Sequence, residues 1–263
     1  MAEEQYERGA LALTVSYDGE PFSGFARQPG LDTVQGRLET ALSVVLRRDV
    51  EIVGAGRTDA GVHAIGQVVS FESSGTEPEP SALVRSLNAL VGEGIVVTGV
   101  RRAQVGFSAR FDAEAREYRY RLVPGPLPPL FMAPVAWWTK CVLDLQAMRE
   151  ASAALVGDHD FRSFCVSESA EGRNTRRGVE LVSIAPEEHL GEHSVTVRVV
   201  GDSFLHSMMR VIVGSLVEVG AGRRRPGWLA EALAARDRAA AGPTAPPHGL
   251  TLWHVWYPEE CWL

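Results

Sequence analysis

The residues best suited to chemistry lie in one short run, Gly54-Ala55-Gly56-Arg57-Thr58-Asp59-Ala60-Gly61-Val62-His63. It sets a guanidinium, a hydroxyl and a carboxylate in consecutive positions, bracketed by glycines. Glycine tolerates tight backbone and lets another chain approach closely. A carboxylate held there, between two strand-like segments, is presented to a ligand instead of being buried by bulky neighbours. The same residue types also suit a tight turn in which Asp59 bonds its own backbone, and residue types alone slightly favour that turn. A phosphate-cradling loop fits less well. Asp59 stands where the third glycine of a dinucleotide fingerprint belongs, no helix-forming run follows, and no GK[ST] occurs anywhere. A strand after Gly61 would argue against the dinucleotide reading. Asp158-His159-Asp160 offers ligand-type side chains, but there is no HExxH, and seven scattered histidines need no metal to explain them.

The elements that must position these groups follow from the apolar pattern. Residues 10–17 read as a strand stopped by Asp18-Gly19. Residues 33–47 read as a helix with Val34, Leu38, Ala41, Leu42 and Val45 on one face, and Asp32 with Gln35 as a capping box. Strands near 50–55 and 64–71 flank the Asp59 loop. A helix near 81–91 and a strand at 95–101 complete the first half. Near 115–123, Arg116, Tyr118, Tyr120 and Leu122 alternate with Glu117, Arg119 and Arg121, which is strand spacing. The breaker Pro124-Gly125-Pro126-Leu127-Pro128-Pro129 follows. Beyond it come a strand near 134–139, a helix near 144–156, strands near 177–185 and 193–200, helices near 204–219 and 227–236, and a strand near 250–257. Both halves approximate β-α-β-β-α-β. The expectation is an α+β chain of two pseudo-symmetric lobes, 1–112 and 113–263, with largely antiparallel sheets.

Composition narrows the class. Apolar residues at 45% and charged residues at 22% are close to globular averages, which excludes extended disorder. No apolar run approaches the roughly 20 residues of a membrane helix. Residues 1–7 are acidic and polar, unlike a signal peptide. Cys141, Cys165 and Cys261 are far apart and odd in number, which points to reduced thiols and a cytoplasmic setting. The net charge is −7, but a local patch decides where a polyanion binds. Lys140 is the only lysine. Arginines gather at 101–102, 110–121, 173–177 and 223–225, away from the acidic groups at the N-terminus, Glu77, Glu79, Glu187, Glu188, Glu259 and Glu260. Each arginine cluster alone reads as a solvated surface. Convergence of the first three on one cleft leading to Asp59, with acidic residues facing away, is the functional expectation.

Gly56-Arg57-Thr58-Asp59-Ala60-Gly61-Val62-His63 followed by Gly66-Gln67-Val68 resembles the signature of the tRNA pseudouridine synthase A family. So, in order, do Tyr17-Asp18-Gly19 with Phe22 and Gly24, Thr33-Val34-Gln35-Gly36, Leu87-Asn88-Ala89-Leu90, Ala109-Arg110-Phe111 and Tyr118-Arg119-Tyr120. Asp160-Phe161 with Ser163-Phe164, Phe204-Leu205 with Met208 and Arg210, and Ala245-Pro246-Pro247-His248-Gly249-Leu250 complete the match. The sequence departs from the family at Phe25-Ala26, where Trp-Gln is usual, and at Ser108, where His is frequent.

The resemblance implies the pseudouridine synthase fold, with a cleft between the lobes, and isomerisation of uridines 38, 39 and 40 in the tRNA anticodon arm. It makes Asp59 the covalent nucleophile and Arg210 its charge partner. Arg57 would fill the place of the flipped base, Tyr118 would stack on the uracil and assist proton removal, and Leu250 would pack the other side of the pocket. Arg110, Arg176 and Arg177 would bind the RNA backbone. No cofactor is implied, since the reaction is neither redox nor group transfer, and a homodimer is. A fold-retaining RNA-binding module without activity is the rival reading. Replacement of Asp59, Tyr118 or Arg210 would have supported it, and all three are present.

Overall fold

The computed structural model describes residues 9–263; the acidic residues 1–7 lie outside them. The chain forms two compact units, Met1–Glu114 with Leu252–Leu263, and Ala115–Thr251. Its elements are mixed α and β with largely antiparallel pairing.

The first unit runs β1 (Ala10–Tyr17), α1 (Val34–Leu46), β2 (Val53–Gly54), β3 (His63–Glu72), α2 (Pro80–Asn88), β4 (Ile95–Ala103), the expected β-α-β-β-α-β order. Strand β1 lies between β4 and β3, antiparallel to both, and β2 pairs with β3. Helix α1 turns its apolar stripe inward, with Val34, Leu38 and Leu42 fully covered. Its cap is Thr33 and not the expected Asp32. Thr33 has the extended backbone an N-cap needs, and its hydroxyl accepts from the Gly36 N–H at 3.2 Å. Asp32 instead holds Arg37 through two charge-assisted bonds of 2.7 and 2.6 Å. Gln35 bonds the Glu39 carboxylate and the Ile52 carbonyl, and so ties α1 to the segment entering β2.

The second unit holds β5 (Ala115–Val123), β6 (Trp137–Trp138), α3 (Leu145–Ser152), β7 (Gly157–Asp160), α4 (Ser167–Ala170), β8 (Arg176–His189), β9 (Glu192–Gly201), α5 (Met208–Gly220) and α6 (Trp228–Ala235). Its strands run in the order β5-β9-β8-β7, all antiparallel, with β6 parallel on β5. Strand β7 and helix α4 were not legible in the sequence: each is four residues long, too short to show a period. Helix α5 is apolar nearly all round and correspondingly buried, with Met208, Val211, Ile212, Val213 and Leu216 without exposure. Strand β10 (Leu250–Trp256) starts at the end of this unit, and from Leu252 the chain belongs to the first. No helix among the described residues is long and apolar enough to cross a membrane, and the three cysteines are free thiols.

Candidate active site

The segment 55–62 leaves the short β2 and enters β3, so the dinucleotide alternative, which needs a helix there, is removed. Within it, side chains divide by burial. Thr58 is buried, Arg57 is exposed, and Asp59 is half-buried. The segment is fastened at several points by residues of the first unit. The Ala55 N–H bonds the Val68 carbonyl at 2.8 Å. Gln67, wholly buried in β3, uses its amide on Gly56 from both sides: Nε2 donates to the Gly56 carbonyl at 2.8 Å, and Oε1 accepts from its N–H at 3.4 Å. The Thr58 hydroxyl lies 2.7 Å from the Tyr17 hydroxyl, and the Thr58 carbonyl accepts from the Phe25 N–H at 3.1 Å.

Beyond Asp59, the Val62 N–H bonds the Asp59 carbonyl and the Gly61 N–H bonds the Gly19 carbonyl. His63 Nδ1 accepts from the Gly19 N–H at 3.1 Å and sits equally close to the Asp18 carboxylate. Gly24 passes directly behind the loop. A Cβ there would stand 3.2 Å from the Thr58 oxygen and 3.3 Å from the Ala60 nitrogen, and φ of +96° disfavours any L side chain. The motifs Tyr17-Asp18-Gly19, Gly24 and Gly66-Gln67-Val68 are therefore the scaffold of the Asp59 loop.

In the second unit, Tyr118 is buried at 8% exposure, and its ring meets Phe204 edge to face at 5.1 Å. Arg210 is half-buried on the first turn of α5. It is bound twice to Ala245: its carbonyl accepts from the Ala245 N–H at 3.0 Å, and its Nε donates to the Ala245 carbonyl at 2.8 Å. The returning chain can come this close because Gly214, one turn further on, has no side chain; a Cβ there would overlap the Pro243 carbonyl. Tyr120, fully buried, donates to the Pro246 carbonyl at 2.7 Å. Burial drives its phenol pKa up, against a smaller opposing effect of the Arg210 charge. Tyr120 and Arg210 thus brace the segment 245–249, which leads directly into Leu250, buried at 5% exposure. The bracing role of Tyr120, Phe204 and Ala245 was not read from the sequence. Its only signal was their place in the family-like motifs.

The arginine clusters divide. Arg110 is exposed on the turn after β4, with its guanidinium 5.4 Å from the exposed Phe111 ring. Arg176 is exposed and pairs with Asp158 at 2.7 Å; Arg177 bonds the Asn174 carbonyl at 3.0 Å. The β5 arginines have internal partners. Arg116 is buried and donates to the Asp202 carbonyl at 2.5 Å. Strand alternation sends Arg119 to the face opposite Tyr118, where it and Arg198 bind the buried Glu117 at 2.6 and 2.9 Å. Burial alone would raise the Glu117 pKa, but the hydrogen bonds from Arg198 and Arg119 outweigh it and hold the carboxyl low. The expectation that the whole cluster 110–121 would offer phosphate ligands is corrected accordingly.

Asp158 and Asp160 are likewise engaged. Asp160 accepts from the Thr175 hydroxyl at 2.6 Å and pairs with Arg236 at 3.3 Å. Among the described residues no group of three or more His, Cys, Asp or Glu is placed to hold a metal.

Residues 13–112 and 151–258 match the sequence profile of the family described as tRNA pseudouridine synthase. The tRNA pseudouridine synthase A of Brevibacillus brevis is 42% identical over 94% of this chain and 99% of its own length. That of Methylococcus capsulatus is 42% identical over 95% and 90%, and that of Bacillus subtilis 40% identical over 94% and 98%.

Proposed function

The chain belongs to the tRNA pseudouridine synthase A family, and from that premise we propose that it isomerises uridine to pseudouridine at tRNA positions 38, 39 and 40 through a covalent intermediate on Asp59. The observation that carries this reading is the loop 55–62: Gly56 and Thr58, before Asp59, are fastened to β3 and β1, Gly61 after it is bonded to Gly19, and Asp59 itself is left half-buried.

The reaction balances within the substrate. The bond from uracil N1 to ribose C1′ breaks, the ring turns, C5 bonds to C1′, C5 loses its proton and N1 gains one. No oxidant, reductant or group donor enters, so the reading includes no cofactor. Asp59 supplies a carboxylate nucleophile to the sugar or to the ring, which divides one difficult step into two easier ones. Arg210 supplies the guanidinium that pairs with that carboxylate and fixes its direction; its double tether to Ala245 limits where that charge can go. Tyr118 stacks on the target uracil and assists removal of the C5 proton, with Phe204 fixing its ring. Leu250 packs the uracil from the other side.

A base inside a stem must be extruded, at a cost of a few kcal/mol, and Arg57 fills the vacated place in the stack. Its exposure beside the buried Thr58 suits that role. Arg110, Arg176 and Arg177 bind the backbone of the anticodon arm, by charge and shape rather than by base edges. Two copies of the chain form the working enzyme.

The test is to incubate the purified protein with unmodified tRNA transcripts carrying uridine at 38, 39 or 40 and to map pseudouridine by mass spectrometry. Conversion confined to those positions is expected. Conversion only elsewhere, or none, would overturn the assignment.

A further inference from the structure

We propose that Tyr17 and Gln67 are positioning residues that set the reach of Asp59 before RNA arrives, an inference that rests on Asp59 being the nucleophile. The two side chains belong to different strands, β1 and β3, fifty positions apart. They meet because β1 pairs antiparallel with β3, Val15 opposite Gln67 and Tyr17 opposite Ala64, with a register shift between Val15 and Tyr17. Such a bulge re-aims the side chain that follows it. Here it brings the Tyr17 hydroxyl to 3.3 Å from Gln67 Nε2 and 2.7 Å from the Thr58 hydroxyl.

The directions of these hydrogen bonds are consistent. The Gln67 amide nitrogen has two protons, one for the Gly56 carbonyl and one for the Tyr17 oxygen. That leaves the Tyr17 proton for Thr58. Burial pushes the Tyr17 phenol up to about 12, against the hydrogen bonds with Thr58 and Gln67, so the group keeps its proton throughout the neutral range.

Strand packing alone does not need this arrangement. Gln67 is 0% exposed and Tyr17 5%, and a buried amide or phenol destabilises unless it is hydrogen-bonded. Leucine and phenylalanine would fill the same space. What the polar pair does, and an apolar pair would not, is fix Gly56 and Thr58. These two anchors lie on either side of Arg57, and the second directly precedes Asp59. Displacing a reacting group by about 1 Å is enough to lower a rate on the order of a hundredfold.

The experiment compares Tyr17→Phe, Gln67→Leu, Thr58→Val and Thr58→Ser with wild type and Asp59→Asn, by single-turnover kinetics on saturating tRNA, tRNA affinity and Tm. Tyr17→Phe, Gln67→Leu and Thr58→Val are expected to slow the chemical step about 10- to 100-fold with affinity within about twofold. Thr58→Ser, which keeps the hydroxyl, is expected to retain activity. The double variant Tyr17→Phe/Thr58→Val should lose no more than Tyr17→Phe alone, because Tyr17→Phe already removes the bond that Thr58→Val removes. Should Gln67→Leu not fold, the Tyr17 and Thr58 variants decide alone. Rates within twofold of wild type in Tyr17→Phe and Thr58→Val, or losses that follow Tm and affinity instead of the chemical step, would overturn the proposal while Asp59→Asn remains inactive. An active Asp59→Asn would overturn the underlying assignment instead.

Discussion

At the scale of single residues, Asp59 and Arg210 carry the sharpest expectations. Asp59→Asn keeps the shape of the loop and removes nucleophilicity, so the chemical step should fall by about three orders of magnitude or more while tRNA affinity stays near wild type. Tritium release from labelled tRNA within tenfold of wild type would remove Asp59 from the role. Arg210→Lys probes geometry separately from charge. The guanidinium is a planar fork that holds the Ala245 carbonyl with Nε; an ammonium is a single point charge on a flexible stem. The lysine variant should therefore fold, bind tRNA and turn over roughly 10- to 100-fold more slowly. Unchanged turnover would show that charge alone suffices there.

At the scale of elements, the turn between β3 and α2 depends on one carboxylate. Glu77 accepts from the Ser73 hydroxyl at 2.6 Å, the Ser74 N–H at 2.6 Å, the Ser74 hydroxyl at 2.8 Å and the Gly75 N–H at 3.1 Å, and it pairs with Arg48 at 3.2 Å. Burial alone would raise its pKa, but the hydrogen bonds from Ser73 and Ser74 outweigh it and hold the carboxyl at about 2. The folded value lies below the ordinary 4.5 of a glutamate, so the stabilisation is fully present above 4.5 and is lost as pH falls toward about 2. With about 1.4 kcal/mol per pKa unit, it amounts to on the order of 3 kcal/mol at neutral pH. Glu77→Gln should lower urea stability at pH 7 by part of that amount, and the gap from wild type should narrow between pH 4.5 and 2. A gap that does not change with pH would mean that the hydrogen bonds do not depend on the charge. In sequence Glu77 is only one of an acidic pair with Glu79; what singles it out is a turn that aims four donors at it, with Arg48 as the fifth.

At the scale of the whole molecule, an acidic protein binding an acidic polymer must rely on local cations, because phosphate neutralisation with counterion release supplies most sequence-independent affinity. Arg176 is a candidate contact: its pairing with Asp158 is exposed on both sides, and exposed pairs are worth only about 0–1 kcal/mol, so exchange for a phosphate is inexpensive. Arg176→Glu should weaken tRNA binding and flatten its salt dependence by about one phosphate contact, leaving the chemistry of already bound tRNA nearly intact. Arg119→Met is the internal control. It takes one of two cations from the buried Glu117, which should cost about 1–3 kcal/mol of stability and leave the salt slope unchanged. Normal binding of Arg176→Glu at every salt concentration would exclude that arginine from the RNA surface.

Local signals were enough for much of this molecule. The strand of β5 follows from its two-residue alternation, the buried stripe of α1 from its apolar spacing, and the all-round burial of α5 from its lack of a polar face. The run 54–63 marks the candidate site through its resemblance to the family signature, since its residue types alone slightly favour a tight turn. What depended on tertiary structure depended on which strands pair and where the register shifts. Tyr17, Gln67 and Thr58 form one network only because β1 lies against β3 with a shift after Val15. Thr33 caps α1 because its extended backbone directly precedes Val34, where the helix begins, and its hydroxyl reaches the Gly36 N–H. The arginines of β5 look alike in sequence, yet Arg119 is paired with Glu117 on its own face of the strand, and the second cation on that carboxylate, Arg198, comes from β9, a cross-strand neighbour no local pattern encodes. Residues Leu252–Leu263 return to the first unit for the same reason. A strand's period tells which of its faces is apolar, but its partner is chosen by the surface it can bury against.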